Sequence, residues 1–320
     1  MDMLTLSHVS KAFGKHQILN DLSFSVPEHS IFGFIGQNGA GKTTTMKLVL
    51  GLLKNDSGQI LVNGEPVTYG QNCTNRYIGY LPDVPEFYGF LTPAEYLKLM
   101  GRIAKMPEAK IDARSRRLLD LVGLGGVTKR IHGFSRGMKQ RLGIAQALLG
   151  HPRLLICDEP TSALDPAGRK EILDILSSIK EETTVLFSTH ILSDVERICD
   201  EIALLHQGRI AFHGTLESLH HYRSDLAQEE CLETSAPIGG TGFEIEFIRP
   251  EDTRLFASCY GEGKPVSRTG LMYEGRTEKD MLDAIGLIAA RHIPIRKIEM
   301  CEPTLEHLFL KITEKTDLPR

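Results

Sequence analysis

The residues best equipped for chemistry lie in GQNGAGKT, Gly36 to Thr43, directly after the apolar run IFGFI. Three glycines, Gly36, Gly39 and Gly41, fall within six positions. Glycine weakens strands and helices alike, so the backbone here must bend sharply or come very close to something. The pattern G-x-x-x-x-G-K-[ST] says what that is: a phosphate-binding loop between a strand and a helix. Backbone N–H groups along Gly36, Gln37, Asn38, Gly39, Ala40 and Gly41 can curl around phosphate oxygens, and the following helix points its positive end at them. Lys42 would reach the β- and γ-phosphates. The Thr43 hydroxyl is placed to ligate Mg²⁺, and Thr44 supports the α-phosphate side. A plain glycine-rich turn would explain the glycines, but not the lysine and threonines behind them.

A second set of polar residues completes the chemistry. In LLICDEP, 116 residues beyond Lys42, an apolar strand ends in two acids. Asp158, at the strand's carboxyl end, can hold Mg²⁺ through water. Glu159 can polarise an attacking water as general base. Acids at a strand end are often only a cap or turn; here they supply what the phosphate loop lacks.

Between these motifs stands HGFSRGMKQRLGIAQALLG, and with it the chain resembles the ATP-binding cassette (ABC) ATPases. FSRGMKQR is similar to that family's LSGGQ signature, with Phe134 for Leu and Arg136 for the first Gly. Ser135 and Gly137 keep their places, followed by Met138 and Lys139 ahead of Gln140. The resemblance implies that this helix start, Ser135 to Met138, binds the γ-phosphate of ATP held by a partner subunit. It makes TSALDP the D-loop, with Asp165 touching the opposite monomer. It makes LFSTH the switch region, with His190 near the γ-phosphate, and it sets Phe13 against adenine. The resemblance runs from Met3 to about His221. It is nearest to ATPases of drug, bacteriocin and lantibiotic exporters, whose accessory C-terminal domain EPTLEHLFLKIT resembles.

One further departure from the family pattern bears on the metal. Where the family usually has Gln in the loop after a strand, meeting Mg²⁺ and the membrane partner, this chain has Asp83, in GYLPD. A carboxylate is the stronger ligand for a hard cation but lacks the amide's donors. Metal-facing residues are therefore expected to be Thr43, Asp158 and Asp83.

Strands must deliver these loops. Apolar runs predict strands at Leu4–Val9, Ile31–Ile35, Gln59–Val62, Leu154–Cys157, Thr184–Phe187 and Ile202–His206, alternating with helices as in an α/β protein. A helical insert, about residues 84–152, opens at Thr92 as N-cap with Pro93 and Glu95 forming a capping box. It continues through RRLLDLVGL, and a third helix runs from Ser135 to Gly150. A further helix starts at Asp165-Pro166 with Ile172, Ile175, Leu176 and Ile179 on one face, and a hairpin turns at Gln207-Gly208. Together these describe a P-loop NTPase core over residues 1–225, a linker over 226–242 and a small α+β domain over 243–320. That last domain, strand FEIEFI, helix EKDMLDAIGLIAARH, strand IRKIEM and helix TLEHLFLKI, shows no chemistry of its own.

Composition narrows the partners. A net charge of −4 argues against general nucleic-acid binding. No run of 18 apolar residues occurs and the start MDMLTLSHVS lacks signal-peptide character, so a cytoplasmic chain is expected. The six cysteines lie at least 28 residues apart, without zinc spacing. The resemblance implies a homodimer that sandwiches two ATP molecules with Mg²⁺, held at the inner face of the cell membrane by separate permease subunits. The aromatics Phe87, Tyr88 and Phe90 read equally as a docking surface or as core. The alternative is a soluble ABC ATPase acting on nucleic acid or ribosomes, to which the basic cluster Lys129, Arg130, Arg136, Lys139 and Arg141 could belong.

Overall fold

The computed structural model describes residues 2–71, 73–219, 242–274 and 276–301. They fall into two compact units that divide after Ser218. The first contains β1 (Asp2–Phe13), β2 (His16–Pro27), β3 (Ile31–Gly36), α1 (Lys42–Val49), β4 (Ser57–Val62), β5 (Glu65–Pro66) and β6 (Ile78–Leu81). Next come α2 (Pro93–Ile103), α3 (Glu108–Leu121), α4 (Arg136–Ala147) and β7 (Leu154–Asp158). Then follow α5 (Pro166–Ser178), β8 (Thr184–Thr189), α6 (Leu192–Ile198), β9 (Glu201–His206) and β10 (Arg209–Thr215).

Six of these strands form one sheet in the order β10-β9-β3-β8-β7-β6. All neighbours are parallel except β10, which folds back antiparallel on β9. Every residue of β3, β7 and β8 is buried. Strands covered on both faces have no polar side to show, which is why IFGFI and LLIC read as unbroken apolar runs. Because β3, β6, β7 and β8 are parallel, their carboxyl ends share one edge of the sheet, where ligands of open α/β folds bind.

A second, antiparallel sheet, β2-β1-β4-β5, lies against this layer. Phe24 of β2 stacks on Phe32 and Phe34 of β3, with ring centroids 5.7 and 5.3 Å apart, and Met46, Leu48 and Val49 of α1 join the same core. β2 is absent from the strands the pattern predicts. Its signal was present nonetheless, since buried Leu22, Phe24 and Val26 alternate with Ser23 and Ser25 in its second half.

The helical insert follows the expected scheme with shifted ends. The Thr92–Glu95 capping box is formed, with Pro93 opening α2. α3 begins at Glu108, before the predicted apolar stretch, and stops at Leu121; Gly123 turns at φ 65°. α4 ends at Ala147 instead of Gly150. Two close approaches fasten α4 to β6. A Cβ on Gly79 would run into the carbonyl of Ala147, and one on Gly143 into the Leu81 side chain. The apolar face of α5 is buried as predicted, and the β9–β10 hairpin turns at Gln207 and Gly208, with φ 46° and 76°.

The second unit holds β11 (Gly242–Phe247), α7 (Pro250–Tyr260), β12 (Lys264–Pro265), β13 (Gly270–Glu274), α8 (Glu278–Arg291) and β14 (Ile295–Cys301). Its antiparallel sheet runs β12-β13-β11-β14, a split β-α-β arrangement. Pattern had found β11, α8 and β14 but not α7, β12 or β13. Phe243, Phe247, Phe256 and Tyr273 form its core. The linker residues 226–241 and the helix TLEHLFLKI lie outside the described residues.

Candidate functional site

Four parallel strands end around one cavity of about 540 Å³. From β3 comes the glycine loop: Gln37, Asn38, Gly39 and Gly41 line the cavity, with Lys42, Thr43 and Thr44 at the start of α1. Gly41 adopts φ 114°, and a Cβ there would sit 2.6 Å from Leu19 Cδ2, so a side chain is excluded on both counts. Gly36 is buried at the loop's base, and the Ala40 N–H donates to the Gln37 carbonyl at 3.1 Å, closing the turn.

From β7 come Asp158 and Glu159, from beyond β8 His190, and from the loop after β6 Asp83. The Thr43 hydroxyl donates to Asp158 Oδ2 at 2.8 Å, and Ser188 donates to Asp158 Oδ1 at 2.6 Å. The Ser188 hydroxyl also accepts the Glu159 N–H at 3.0 Å, so one side chain fixes both acids. Glu159 has φ 49°, uncommon for a residue with a side chain and a mark of backbone held in place by its surroundings.

Lys42, only 6% exposed, donates to the Gly36 carbonyl at 2.6 Å and lies 3.1 Å from Glu159 Oε1. His190 Nδ1 lies 2.8 Å from Glu159 Oε2. Glu159 therefore sits between a cation and an imidazole. This cluster can bind an anion at Lys42 and the loop N–H groups while Glu159 accepts a proton.

Hard oxygen donors are also present. Thr43, Asp158 and Asp83 offer hydroxyl and carboxylate oxygens to the same cavity, the donor set Mg²⁺ prefers. Among the described residues no three His, Cys, Asp or Glu side chains form a metal cluster by themselves. A metal here would complete its shell with water and phosphate oxygens. Burial pushes the Asp83 carboxyl above its ordinary range, the Arg136 guanidinium opposes this, and Asp158 and Glu159 reinforce it.

Other expected residues stand elsewhere. Ser135 caps α4, accepting from the Met138 N–H at 3.2 Å, and Arg136 bonds Asp83; Gly137 and Met138 follow in the first turn. Asp165 caps α5 through the Gly168 N–H at 3.0 Å. Phe13 is 50% exposed, with Lys11 Nζ 5.3 Å from its ring centroid, and Ile18, not Phe13, lines the cavity. The aromatic trio divides: Phe87 packs edge-on against Tyr96 at 5.1 Å, while Tyr88 and Phe90 are exposed.

Sequence reasoning gave no role to Ser188, Gln140 or the pair Thr161–Asp194. Thr161 donates to Asp194 at 2.6 Å with both side chains buried, tying the loop after Glu159 to α6. Asp194 looks like a surface helix residue in LSDVER, so nothing marked it. Ser188, a polar residue closing the apolar run VLF, did carry a signal.

Known proteins match this arrangement. The ABC transporter family model matches residues 19–162. An uncharacterized ABC transporter ATP-binding protein of Bacillus subtilis (strain 168), YxlF, is 43% identical over 292 residues, covering 86% of this chain and 96% of that protein. The bacitracin transport ATP-binding protein BcrA of Bacillus licheniformis is 41% identical over 212 residues, 65% of this chain and 68% of its own. A solved ATP-binding subunit of an ABC transporter superposes with a TM-score of 0.63 at 34% identity, covering 69% of this chain and 93% of that one. With the glycine loop, the paired acids and His190 at one sheet edge and relatives this similar along most of its length, this chain belongs to the ABC transporter family as an ATP-binding subunit and is an ATPase.

Proposed function

We propose that this chain drives export of an antibiotic-like compound through a separate membrane subunit. The observation that carries the reading is the convergence of Lys42, Glu159 and His190 beside the Thr43–Asp158 pair. Lys42 and the loop N–H groups bind the phosphates of ATP. Glu159 takes the proton of the attacking water, and His190 orients Glu159. Thr43, Asp158 and Asp83 would hold Mg²⁺, which supplies charge neutralisation to the phosphates.

Two copies of the chain are expected to close on ATP head to tail, with Ser135, Arg136, Gly137 and Met138 of one copy toward the phosphates of the other and Asp165 at the junction. Phe13 is assigned to the adenine. No helix among the described residues is long and apolar enough to cross a membrane. On this reading the membrane-spanning part is assigned to a partner, with this chain at the inner face. The docking surface is assigned to the groove that Asp83 and Phe87 border, with the exposed rings Tyr88 and Phe90 in the same segment. The outward direction is supported by a second relative, the linearmycin resistance ATP-binding protein LnrL of Bacillus subtilis (strain 168), 31% identical over 98% of this chain.

Inside-out vesicles carrying this chain with its membrane partner test the reading. ATP should drive accumulation of bacitracin or a similar peptide antibiotic, and Lys42→Ala should abolish it. ATP-independent accumulation, or uptake unchanged in Lys42→Ala, would overturn the reading.

A further inference from the structure

Asp83 is a shared wall. It lines the phosphate cavity and also a neighbouring groove of about 450 Å³, bordered by Val84, Phe87, His132 and Arg136. α4 grips it at two points one helical turn apart. Arg136 Nη2 donates to Asp83 Oδ1 at 3.1 Å, and the fully buried Gln140 amide donates to the Asp83 carbonyl at 2.7 Å. Residues i and i+4 share a helix face, so both contacts come from the same side of α4. Arg136 and Asp83 are also the two places where charge replaces the uncharged residue of the family pattern.

We propose that Arg136 is a positioning residue for Asp83, and that its guanidinium and a divalent cation in the phosphate cavity compete for the same carboxylate. The proposal rests on the reading of Asp83 as a metal-facing residue. Gln140 holds the backbone of Asp83, which limits the choice of the carboxylate to a swing between two partners. Metal binding draws the carboxylate from Arg136 and frees the first turn of α4. Holding Arg136 in place weakens the metal by the same factor, since linkage is reciprocal. Both side chains are nearly half exposed, 42% and 46%, so the coupling is a few-fold effect rather than a large one.

Mn²⁺ binding to the full chain, measured by electron paramagnetic resonance with equimolar ADP, reads the competition. Arg136→Ala should tighten Mn²⁺ about two- to fivefold, the range of an exposed ion pair. Asp83→Asn should weaken Mn²⁺ binding, and Arg136→Ala should then add nothing in the Asp83→Asn background. An Arg136→Ala effect that is absent, or equal in both backgrounds, overturns the proposal. Asp158→Asn separates this failure from a deeper one. If it too leaves Mn²⁺ binding intact, the metal is not in this cavity and the functional reading falls with the proposal. Amide exchange over residues 135–140 gives a second readout. Its Mn²⁺-dependent rise should occur in the wild type and vanish in Asp83→Asn, and an equal rise in both contradicts the linkage.

Discussion

In the first unit β3, β7 and β8 are buried residue after residue, and polar side chains collect where these strands stop. In the second unit β11 buries Phe243, Ile245 and Phe247 and turns the half-exposed Glu244 and Glu246 to the opposite face. Charge there is spread along the sheet, as in the pairing of Arg296 with Glu246 at 2.9 Å. A parallel sheet covered on both faces has only its ends left for chemistry, so catalytic groups converge. An antiparallel sheet with one open face spreads its polar groups, and nothing in the described part of the second unit gathers a reactive cluster. On this view hydrolysis belongs to the first unit.

Substitutions on either side of this division should have separate effects. The largest is Glu159→Gln, which keeps the shape but cannot accept a proton. Turnover should fall by roughly 10²–10⁴-fold with ATP still bound, read by phosphate release and equilibrium titration. Near-normal turnover would move the base away from Glu159. Phe256→Ala comes next. Its ring is fully buried among Phe247, Tyr260 and Tyr273, and its loss should destabilise the second unit by about 3–5 kcal/mol. Hydrogen exchange should rise over residues 242–301 while ATP affinity stays unchanged. A parallel fall in ATP affinity would erase the division.

The smallest effect sharpens the comparison further. Thr277 caps α8 and forms a reciprocal box with Asp280, whose carboxylate accepts the Thr277 N–H at 2.8 Å. Thr277→Ala should cost about 1 kcal/mol. That N–H, and then the Thr277 hydroxyl, hold the Asp280 carboxyl below the ordinary value of 3.8. A lowered folded value means stability that is present above the ordinary carboxylate range and lost as pH falls through the lowered one. The gap between variant and wild type should therefore shrink in acid, and thermal melts at neutral pH and near pH 3 check this. A gap that widens in acid would contradict the box.

The site was legible where chemistry demands fixed spacing. Gly41, Lys42 and Thr43 must be consecutive for a loop to turn into a helix under a phosphate, and Asp158 and Glu159 must end a strand. The parallel strands were legible because double burial forces uninterrupted apolar runs. Residues joined only by the fold were hidden. Ser188 reaches the two acids across adjacent strands, and Thr161 meets Asp194 from 33 positions away. No local pattern names either partner, although a polar Ser188 closing the apolar run VLF marks the residue itself. The division of the aromatics was equally hidden: Phe87 is partly covered and packs edge-on against Tyr96, while Tyr88 and Phe90 are exposed, and no local pattern separates them.

The attachment of α4 to β6 has a mechanical consequence. Gly79 lets the sheet touch the last turn of the helix, and Gly143 lets the middle of the helix touch Leu81, whereas Ser135 and Arg136 are exposed at the far end. Twelve residues at ~1.5 Å each make a rod of about 18 Å, clamped over its second half. A rod held this way cannot slide along its axis without opening both glycine contacts, and a tilt about them works against the Arg136 and Gln140 bonds to Asp83 at its other end. Small repacking at the clamp becomes a larger arc at Arg136. Any side chain introduced at position 79 or 143 would shift the fulcrum, and so change the stroke of the helix without touching a single reactive atom.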